Sequence, residues 1–189
     1  LSQFLNVLDA KVGRGNYLLF LTADHGAAHN YNFLKKQRIP AGAFEYKKAV
    51  EDLNNHLQKK FGIKPVMGED NYQFAFNDKM IEQTGKDKDD VIEEAIKFLK
   101  QDPQYIFVFD EEHVATETMP DFIKTRMLNG YMRNRSGEIG VVTRAQFFGA
   151  KNSPDYIGTQ HGQPYPYDTH IPWVMYGWHV NHGESAQEV

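Results

Sequence analysis

Two short segments, far apart in the chain, carry the residues best suited to metal chemistry. The first segment is TADHGAAHN at residues 22–30, where Asp24 and His25 are adjacent and Gly26 follows. A turn at a glycine relaxes the side-chain alternation of a strand, so both side chains can point at one cation. Carboxylate oxygens and imidazole nitrogens are good zinc ligands. We predict that Asp24 and His25 bind metal, the alternative being a helix-capping aspartate beside a partly buried polar histidine.

The second segment is GTQHGQPYPYDTHIP at residues 158–172, in which His161 lies between glycines in a proline-rich loop. Such a loop can hold its backbone stiffly and close to a ligand, so we predict that His161 also binds metal. Asp168 and His170 are weaker candidates. Asp168 can instead anchor the loop by accepting backbone N–H groups, and His170 can simply pack.

The other five histidines favour a surface role. The two in WHVNHG are three residues apart, which metal binding would allow, but they lie close to the end of the chain. The segment Glu111-Glu112-His113 lacks the H-E-x-x-H order of a metalloprotease helix. We therefore predict surface positions for the following histidines: His29, His56, His113, His179 and His182.

Several other chemistries are excluded by the sequence. There is no G-x-S-x-G elbow, no G-x-x-x-x-G-K-[ST] phosphate loop and no G-x-G-x-x-G motif. The absence of cysteine excludes thiol nucleophiles, disulfides and thiolate zinc sites. A net charge of −4 gives no electrostatic reason to expect nucleic acid or an anionic membrane as a partner. No stretch approaches the roughly 20 apolar residues that a membrane span needs.

The predicted elements place the first segment at the end of a strand. Residues 17–23 (YLLFLTA) are an unbroken apolar run, which is typical of a buried strand in a parallel sheet. Ligands of open α/β sheets bind just past the carboxyl ends of such strands, where Asp24 follows. An amphipathic helix precedes the strand and ends at Gly13. Residues 171–176 (IPWVMY) are predicted to return as a strand of the main sheet.

The middle of the chain has a different pattern, in which helices and strands alternate. This pattern favours a compact α+β insertion with its own small sheet at residues 40–149, between two parts of a core at residues 1–39 and 150–189. The predicted helices are 44–61, 89–100 and 121–132, and the predicted strands are 71–77, 105–110 and 138–143.

The quoted segments resemble a known family. TADHG after an apolar strand, followed at a distance by GTQHG and YPYDTHIPWVMYG, is similar to the alkaline phosphatase superfamily. The likeness is greatest to phosphate-irrepressible bacterial alkaline phosphatases and to nucleotide pyrophosphatase/phosphodiesterases. RIPAGAFEYKKAVEDLN resembles the inserted region of that branch. The resemblance implies an α/β fold: part of an alkaline-phosphatase-like sheet sandwiched by helices, with an inserted α+β subdomain.

The resemblance also implies a site with two zinc ions bridged by the phosphoryl group. Asp24 and His25 would bind the zinc ion that activates a threonine or serine nucleophile, and His161 would bind the other. In the family the nucleophile and the remaining ligands precede the TADHG strand, and only 21 residues precede Thr22 here. Thr22 itself ends the strand and is not a credible nucleophile. The resemblance and the start at Leu1, in a helical pattern, predict the C-terminal portion of a longer protein, with no catalytic nucleophile in this chain.

The expected activity of the intact protein is zinc-dependent hydrolysis of small phosphate monoesters through a covalent phospho-enzyme. Phosphodiester or pyrophosphate hydrolysis is the alternative within the superfamily, and a non-catalytic binding module on the same scaffold is the alternative outside it. The family resemblance implies a periplasmic or secreted protein. The chain alone is expected to be inactive and to bind zinc weakly or not at all, and its partner is the missing N-terminal part of the same protein.

Overall fold

The computed structural model describes residues 1–186, and its contacts divide the chain into two units. The first unit contains Leu1–Gly26 and the chain from His170 onward, and the second contains Ala27–Thr169. A division by contacts shows which residues pack together, but it does not show which residues are inserted into a core. The predicted division at residues 39/40 and 149/150 therefore stays a prediction.

The described residues form a mixed α/β architecture of helices and small sheets. The helices are α1 (Ser2–Val12), α2 (Tyr31–Lys36), α3 (Tyr46–Phe61), α4 (Asp78–Gln83), α5 (Lys88–Leu99), α6 (Asp121–Gly130) and α7 (Pro166–Thr169), with a 3₁₀ helix at Glu111–Thr116. The strands are β1 (Leu18–Thr22), β2 (Gly42–Phe44), β3 (Val66–Asp70), β4 (Gln73–Phe76), β5 (Tyr105–Asp110), β6 (Ile139–Thr143), β7 (Phe147–Gly149) and β8 (Trp173–Gly177).

The first unit joins α1 to a two-stranded sheet of β1 and β8. The two strands are antiparallel, with Leu18 opposite Gly177 and Thr22 opposite Trp173. Most of the β1 side chains are exposed. The prediction of a strand was right, but the prediction that it is buried in a parallel sheet is wrong for the residues that the structure describes. The apolar run predicts that both faces of the strand are covered by other segments. Among the described residues, β1 pairs only with β8 along one edge, and most of its side chains stay exposed.

The second unit is built around a four-stranded antiparallel sheet in the order β3-β4-β6-β5. Helices α3 and α5 pack against it and bury apolar residues at helical spacing. Asp87 caps the start of helix α5, because its carboxylate accepts the Asp89 N–H at 2.9 Å. Fully buried side chains at the centre of this core are Leu53, Leu57, Phe74, Val91 and Ile139. The small sheet predicted within residues 40–149 is present.

A second core cluster supports the segments that flank this sheet. β2 and β7 pair in parallel, and Phe148 packs with Tyr31 beneath them. The Tyr31 hydroxyl lies 2.8 Å from the carbonyl oxygens of Lys151 and of Ser153. The Asn30 amide donates to Gly158 O at 2.8 Å. These bonds fix the start of the loop that carries His161.

Within the described chain, no helix combines the length and the apolar character needed to cross a membrane.

Candidate metal centre

Asp24 and His25 follow directly after β1, as the sequence predicts. The Asp24 carboxylate accepts the His25 backbone N–H at 3.1 Å, and its other oxygen lies 3.6 Å from His25 Nε2. Two ligands of a tetrahedral zinc ion, each about 2.0–2.2 Å from the metal, lie roughly 3.3 Å apart. The carboxylate oxygen and Nε2 are therefore close enough to share one ion after a small adjustment.

The other ring nitrogen of His25 is held by the backbone. Nδ1 lies 2.6 Å from the carbonyl oxygen of Gly26. A carbonyl oxygen only accepts hydrogen bonds, so Nδ1 must carry the proton and Nε2 is the basic nitrogen of the neutral ring. Metal-binding histidines characteristically donate their other ring N–H to a carboxylate or carbonyl group in this way. The donor set of Asp24 and His25 thus fits zinc.

His161 lies on an exposed loop of the second unit. The residues before it bond to Ala28: the Ala28 N–H donates to Gln160 O at 3.0 Å, and the Thr159 hydroxyl donates to Ala28 O. A cleft of about 320 Å³ opens beside the histidine, between Gln160 and the hairpin residue Tyr72. An imidazole on the rim of a cleft, with its neighbours hydrogen-bonded in place, can bind an ion or a ligand there.

Asp168 anchors the loop that follows His161. Its side chain is buried, and one carboxylate oxygen accepts the Gln163 backbone N–H at 2.8 Å. The Gln163 side-chain carbonyl in turn accepts the backbone N–H of Thr143, a buried residue of β6, at 3.1 Å. The structural alternative for Asp168, an anchor that accepts backbone N–H groups, is confirmed. His170 is exposed and belongs to the first unit.

The histidines predicted to lie on the surface are exposed, with one exception. His29, His113, His179 and His182 are exposed. His56 is half-buried, because its ring stacks on Phe98 at 4.4 Å and its Nε2 lies 2.8 Å from Glu94 Oε1. The sequence prediction missed this pairing because His56 and Glu94 come from different helices, α3 and α5. The prediction of a surface position for His56 is therefore only partly right.

Two glutamates of the second unit have raised pKa values. Burial raises the pKa of Glu69 to about 7, against the lowering effect of the Tyr72 N–H, which donates to it at 2.6 Å. Burial also raises the pKa of Glu111 to about 7, against a hydrogen bond from the Gln73 amide at 3.0 Å. The sequence analysis did not name Glu69, and it named Glu111 only as part of a segment that lacks the metalloprotease order. Glu69 lines the cleft beside His161, so it affects the charge of that cleft.

Over residues 1–186, no group of three or more histidine, cysteine, aspartate or glutamate side chains is placed to hold one metal ion. The predicted arrangement assigns two ligands to one ion and one ligand to the other. It therefore does not require such a group. The assignment of Asp24, His25 and His161 as metal ligands stays a prediction.

Comparison with known proteins gives relatives along the whole chain. It is 40% identical over 189 residues to a protein of Myroides odoratus named calcium-transporting ATPase. It is 36% identical over 188 residues to the alkaline phosphatase PafA of Elizabethkingia meningoseptica, and 32% identical over 188 residues to the alkaline phosphatase PhoV of Synechococcus elongatus. These matches cover 99–100% of this chain and 33–34% of the relatives, so the chain spans about a third of their length. No protein-family model matches the chain.

Solved structures show the same likeness in the fold. Wild-type PafA matches with a TM-score of 0.93 at 37% identity, covering 99% of this chain and 35% of that protein. A PafA mutant with four substitutions matches with a TM-score of 0.90, also at 37% identity and with the same coverage. The resemblance found in the sequence motifs is therefore confirmed over nearly the whole chain. On sequence identity and fold together, the chain belongs to the alkaline phosphatase superfamily.

Proposed function

We propose that the intact protein is a zinc-dependent phosphatase that hydrolyses small phosphate monoesters through a covalent phospho-enzyme. This chain contributes Asp24 and His25 as ligands of one zinc ion and His161 as a ligand of the other. The relatives PafA and PhoV are named alkaline phosphatases, which supports the reaction class. The proposal concerns the intact protein, because the chain spans about a third of its relatives.

The observation that carries the proposal is the geometry of the Asp24–His25 pair. The carboxylate and Nε2 lie 3.6 Å apart, and the Gly26 carbonyl holds the proton on Nδ1. The ring is therefore in the tautomer that can donate an Nε2 lone pair to a metal. An aspartate that merely capped a helix would not need this arrangement of the neighbouring ring.

The hydrogen bonds of its own loop support the inclusion of His161 as a ligand. The Gln160 carbonyl, in the residue before His161, accepts the Ala28 N–H at 3.0 Å, and the Thr159 hydroxyl donates to Ala28 O. These bonds hold the backbone just before His161 in place within the second unit. The family resemblance is the ground for assigning His161 to the second zinc ion.

The residues of this chain would act by holding charge and geometry at the phosphoryl group. Two bound zinc ions would stabilise the attacking and leaving oxygens of an in-line displacement. Asp24 would supply a carboxylate oxygen, and His25 would supply a ring nitrogen whose orientation the Gly26 carbonyl fixes. His161 would supply a second ring nitrogen from a different loop. The threonine or serine nucleophile is expected in the part of the protein that precedes this chain.

The first unit supports the proposal that the rest of the same protein is the partner of this chain. Phe20 of β1 stacks on Trp173 of β8 at a centroid distance of 5.9 Å, and both side chains are exposed. A two-stranded sheet is marginally stable by itself, and large exposed apolar side chains mark surfaces that other segments cover. The family resemblance also supports a periplasmic or secreted location for the intact protein.

The test is turnover by the full-length protein and its ligand variants. His25→Ala and His161→Ala should each lower the zinc-dependent hydrolysis of a chromogenic phosphate monoester by about 100-fold or more, because each removes charge stabilisation at one ion. His113→Ala is the matched control, since His113 also pairs with an aspartate, Asp110, at 3.0 Å. It should keep normal turnover.

The contradicting outcome is a full-length protein whose turnover survives the loss of His25 or His161. The same assay with a chromogenic phosphodiester distinguishes the two reactions of the superfamily. Faster hydrolysis of the diester than of the monoester would favour the phosphodiesterase alternative over the proposed monoesterase. A full-length protein that binds zinc but hydrolyses neither substrate would favour the non-catalytic binding module.

A further inference from the structure

Tyr72 occupies a strained position in the turn between β3 and β4. The strands pair Asp70 with Gln73, so Asn71 and Tyr72 form a two-residue turn. Both have positive φ angles, 49° and 64°. Two-residue turns of this kind favour asparagine followed by glycine, because glycine tolerates positive φ. A bulky aromatic residue in the second position persists only where its surroundings hold it there.

Several contacts hold the Tyr72 side chain and backbone in place. Its backbone N–H donates to the Glu69 carboxylate at 2.6 Å, and its hydroxyl accepts the Gly149 N–H at 3.0 Å. Its ring stacks on Phe44 with centroids 5.7 Å apart. The side chain is only 8% exposed although it sits in a turn. These contacts hold the Tyr72 ring in a fixed position at the end of the β3–β4 hairpin.

The edge of this ring lies against the residue that follows His161. A Cβ atom added to Gly162 would be 3.0 Å from Tyr72 Cε2 and 3.6 Å from Cδ2, so ring and backbone are in close contact. Gly162 has a φ angle of 106°, a conformation that residues other than glycine rarely adopt. The direction of the chain after His161 depends on this conformation.

We propose that Tyr72 is a positioning residue for His161. The Tyr72 ring packs on Gly162 and fixes the loop, so that the His161 imidazole can reach its zinc ion. The inference rests on the proposed function, because it takes His161 as a metal ligand. Tyr72 does not itself contact the reacting atoms. Its contribution is the fixed direction of the backbone at residues 161–163, which an exposed loop would otherwise not keep.

The test compares Tyr72→Leu with a matched variant, Tyr105→Leu, in the full-length protein. Both tyrosines are buried, at 8% and 9% exposure, and both pack on Phe44. Leucine ends at its δ carbons and cannot supply the Cε2 contact with Gly162. Zinc affinity, measured by competition with a chelator, should fall 10–100-fold in Tyr72→Leu and stay normal in Tyr105→Leu. Tyr72→Phe keeps the ring and should restore most of the affinity.

Turnover separates positioning from a loss of folding. Added zinc should recover most of the turnover of Tyr72→Leu, because its ligands are intact, whereas His161→Ala should stay impaired at any zinc concentration. Wild-type zinc affinity in Tyr72→Leu, or equal losses in Tyr72→Leu and Tyr105→Leu, would overturn the inference while leaving His161 as a ligand. Normal zinc affinity in His161→Ala would instead overturn the proposed function.

Discussion

At the scale of single residues, hydrogen bonds decide which chemistry a histidine can perform. His25 and His113 both lie beside an aspartate. At His25 the carbonyl of Gly26 holds the Nδ1 proton, which leaves Nε2 as the basic nitrogen. At His113 the Nδ1 atom itself faces Asp110 at 3.0 Å, and that hydrogen bond raises the pKa of the ring. The first arrangement suits a metal ligand, and the second suits an imidazolium paired with a carboxylate.

Glu111 illustrates the energetic consequence of burying an ionisable residue. It is only 3% exposed, and among the described residues its Oε2 atom has no hydrogen-bond partner. Burial raises its pKa from 4.5 to about 7, with a smaller contribution from the charge of Asp110. The folded protein therefore binds the proton more tightly than the unfolded chain does. The stability that this proton provides is complete below the unfolded pKa and is lost as the pH rises to about 7.

We therefore predict that Glu111→Gln removes a pH dependence of stability. The rise of the Glu111 pKa from 4.5 to about 7 corresponds to on the order of 3 kcal/mol. The free energy of unfolding of the wild type should fall relative to Glu111→Gln by up to this amount between pH 4.5 and 7. Urea unfolding at several pH values measures it. Glu82→Gln, at an exposed position, is the control. A constant difference between wild type and Glu111→Gln across this range would contradict the prediction.

At the scale of elements, long periodic segments were predictable and short ones were not. The predicted strand at residues 105–110 coincides with β5, and the predicted helix at 89–100 differs from α5 by one residue at each end. The three-residue strands β2 and β7 are too short to show a period. The turn at Asn71 and Tyr72 was predicted as strand because residues 71–77 alternate as a strand does. Only the tertiary contacts of its ring reveal its position.

Gly140 of β6 is an element-scale position where packing dictates the residue. A Cβ atom added there would lie 2.3 Å from Glu111 Oε1 and 2.6 Å from the Phe109 ring. We expect Gly140→Ala to destabilise the protein by about 1–3 kcal/mol, because a well-packed interior absorbs an added methyl group only by strain. Gly68→Ala in β3 is the control, since nothing lies within 4 Å of its added Cβ. Thermal unfolding measures the melting temperatures of the two variants. Equal melting temperatures for Gly140→Ala and Gly68→Ala would contradict the prediction.

At the scale of the whole molecule, the sequence identified the family but not the distances within the site. TADHG and GTQHG were recognisable because each motif is local, whereas the loop anchor at Asp168 and the contact of Tyr72 with Gly162 depend on residues far apart in sequence. The apolar run of β1 correctly predicted a strand. It could not predict the direction of the neighbouring strand, because direction depends on chain topology and not on composition.

The ligand count leads to a prediction about the chain by itself. Catalytic zinc sites use about three protein ligands each, and the proposed assignment gives this chain two ligands for one ion and one for the other. The 189-residue chain should therefore bind zinc weakly or not at all and show no hydrolysis of a phosphate monoester above background. The full-length protein, assayed beside it with added zinc, should turn over. Robust zinc-dependent turnover by the 189-residue chain would contradict this ligand count.

The most direct test of the zinc assignment is a crystal structure of the full-length protein with bound zinc, in which anomalous scattering locates the metal. We predict two zinc ions about 4 Å apart. One should lie about 2.0–2.2 Å from an Asp24 carboxylate oxygen and from His25 Nε2, and the other at a similar distance from an imidazole nitrogen of His161. Zinc ions bound elsewhere, with Asp24, His25 and His161 outside their coordination spheres, would contradict the account.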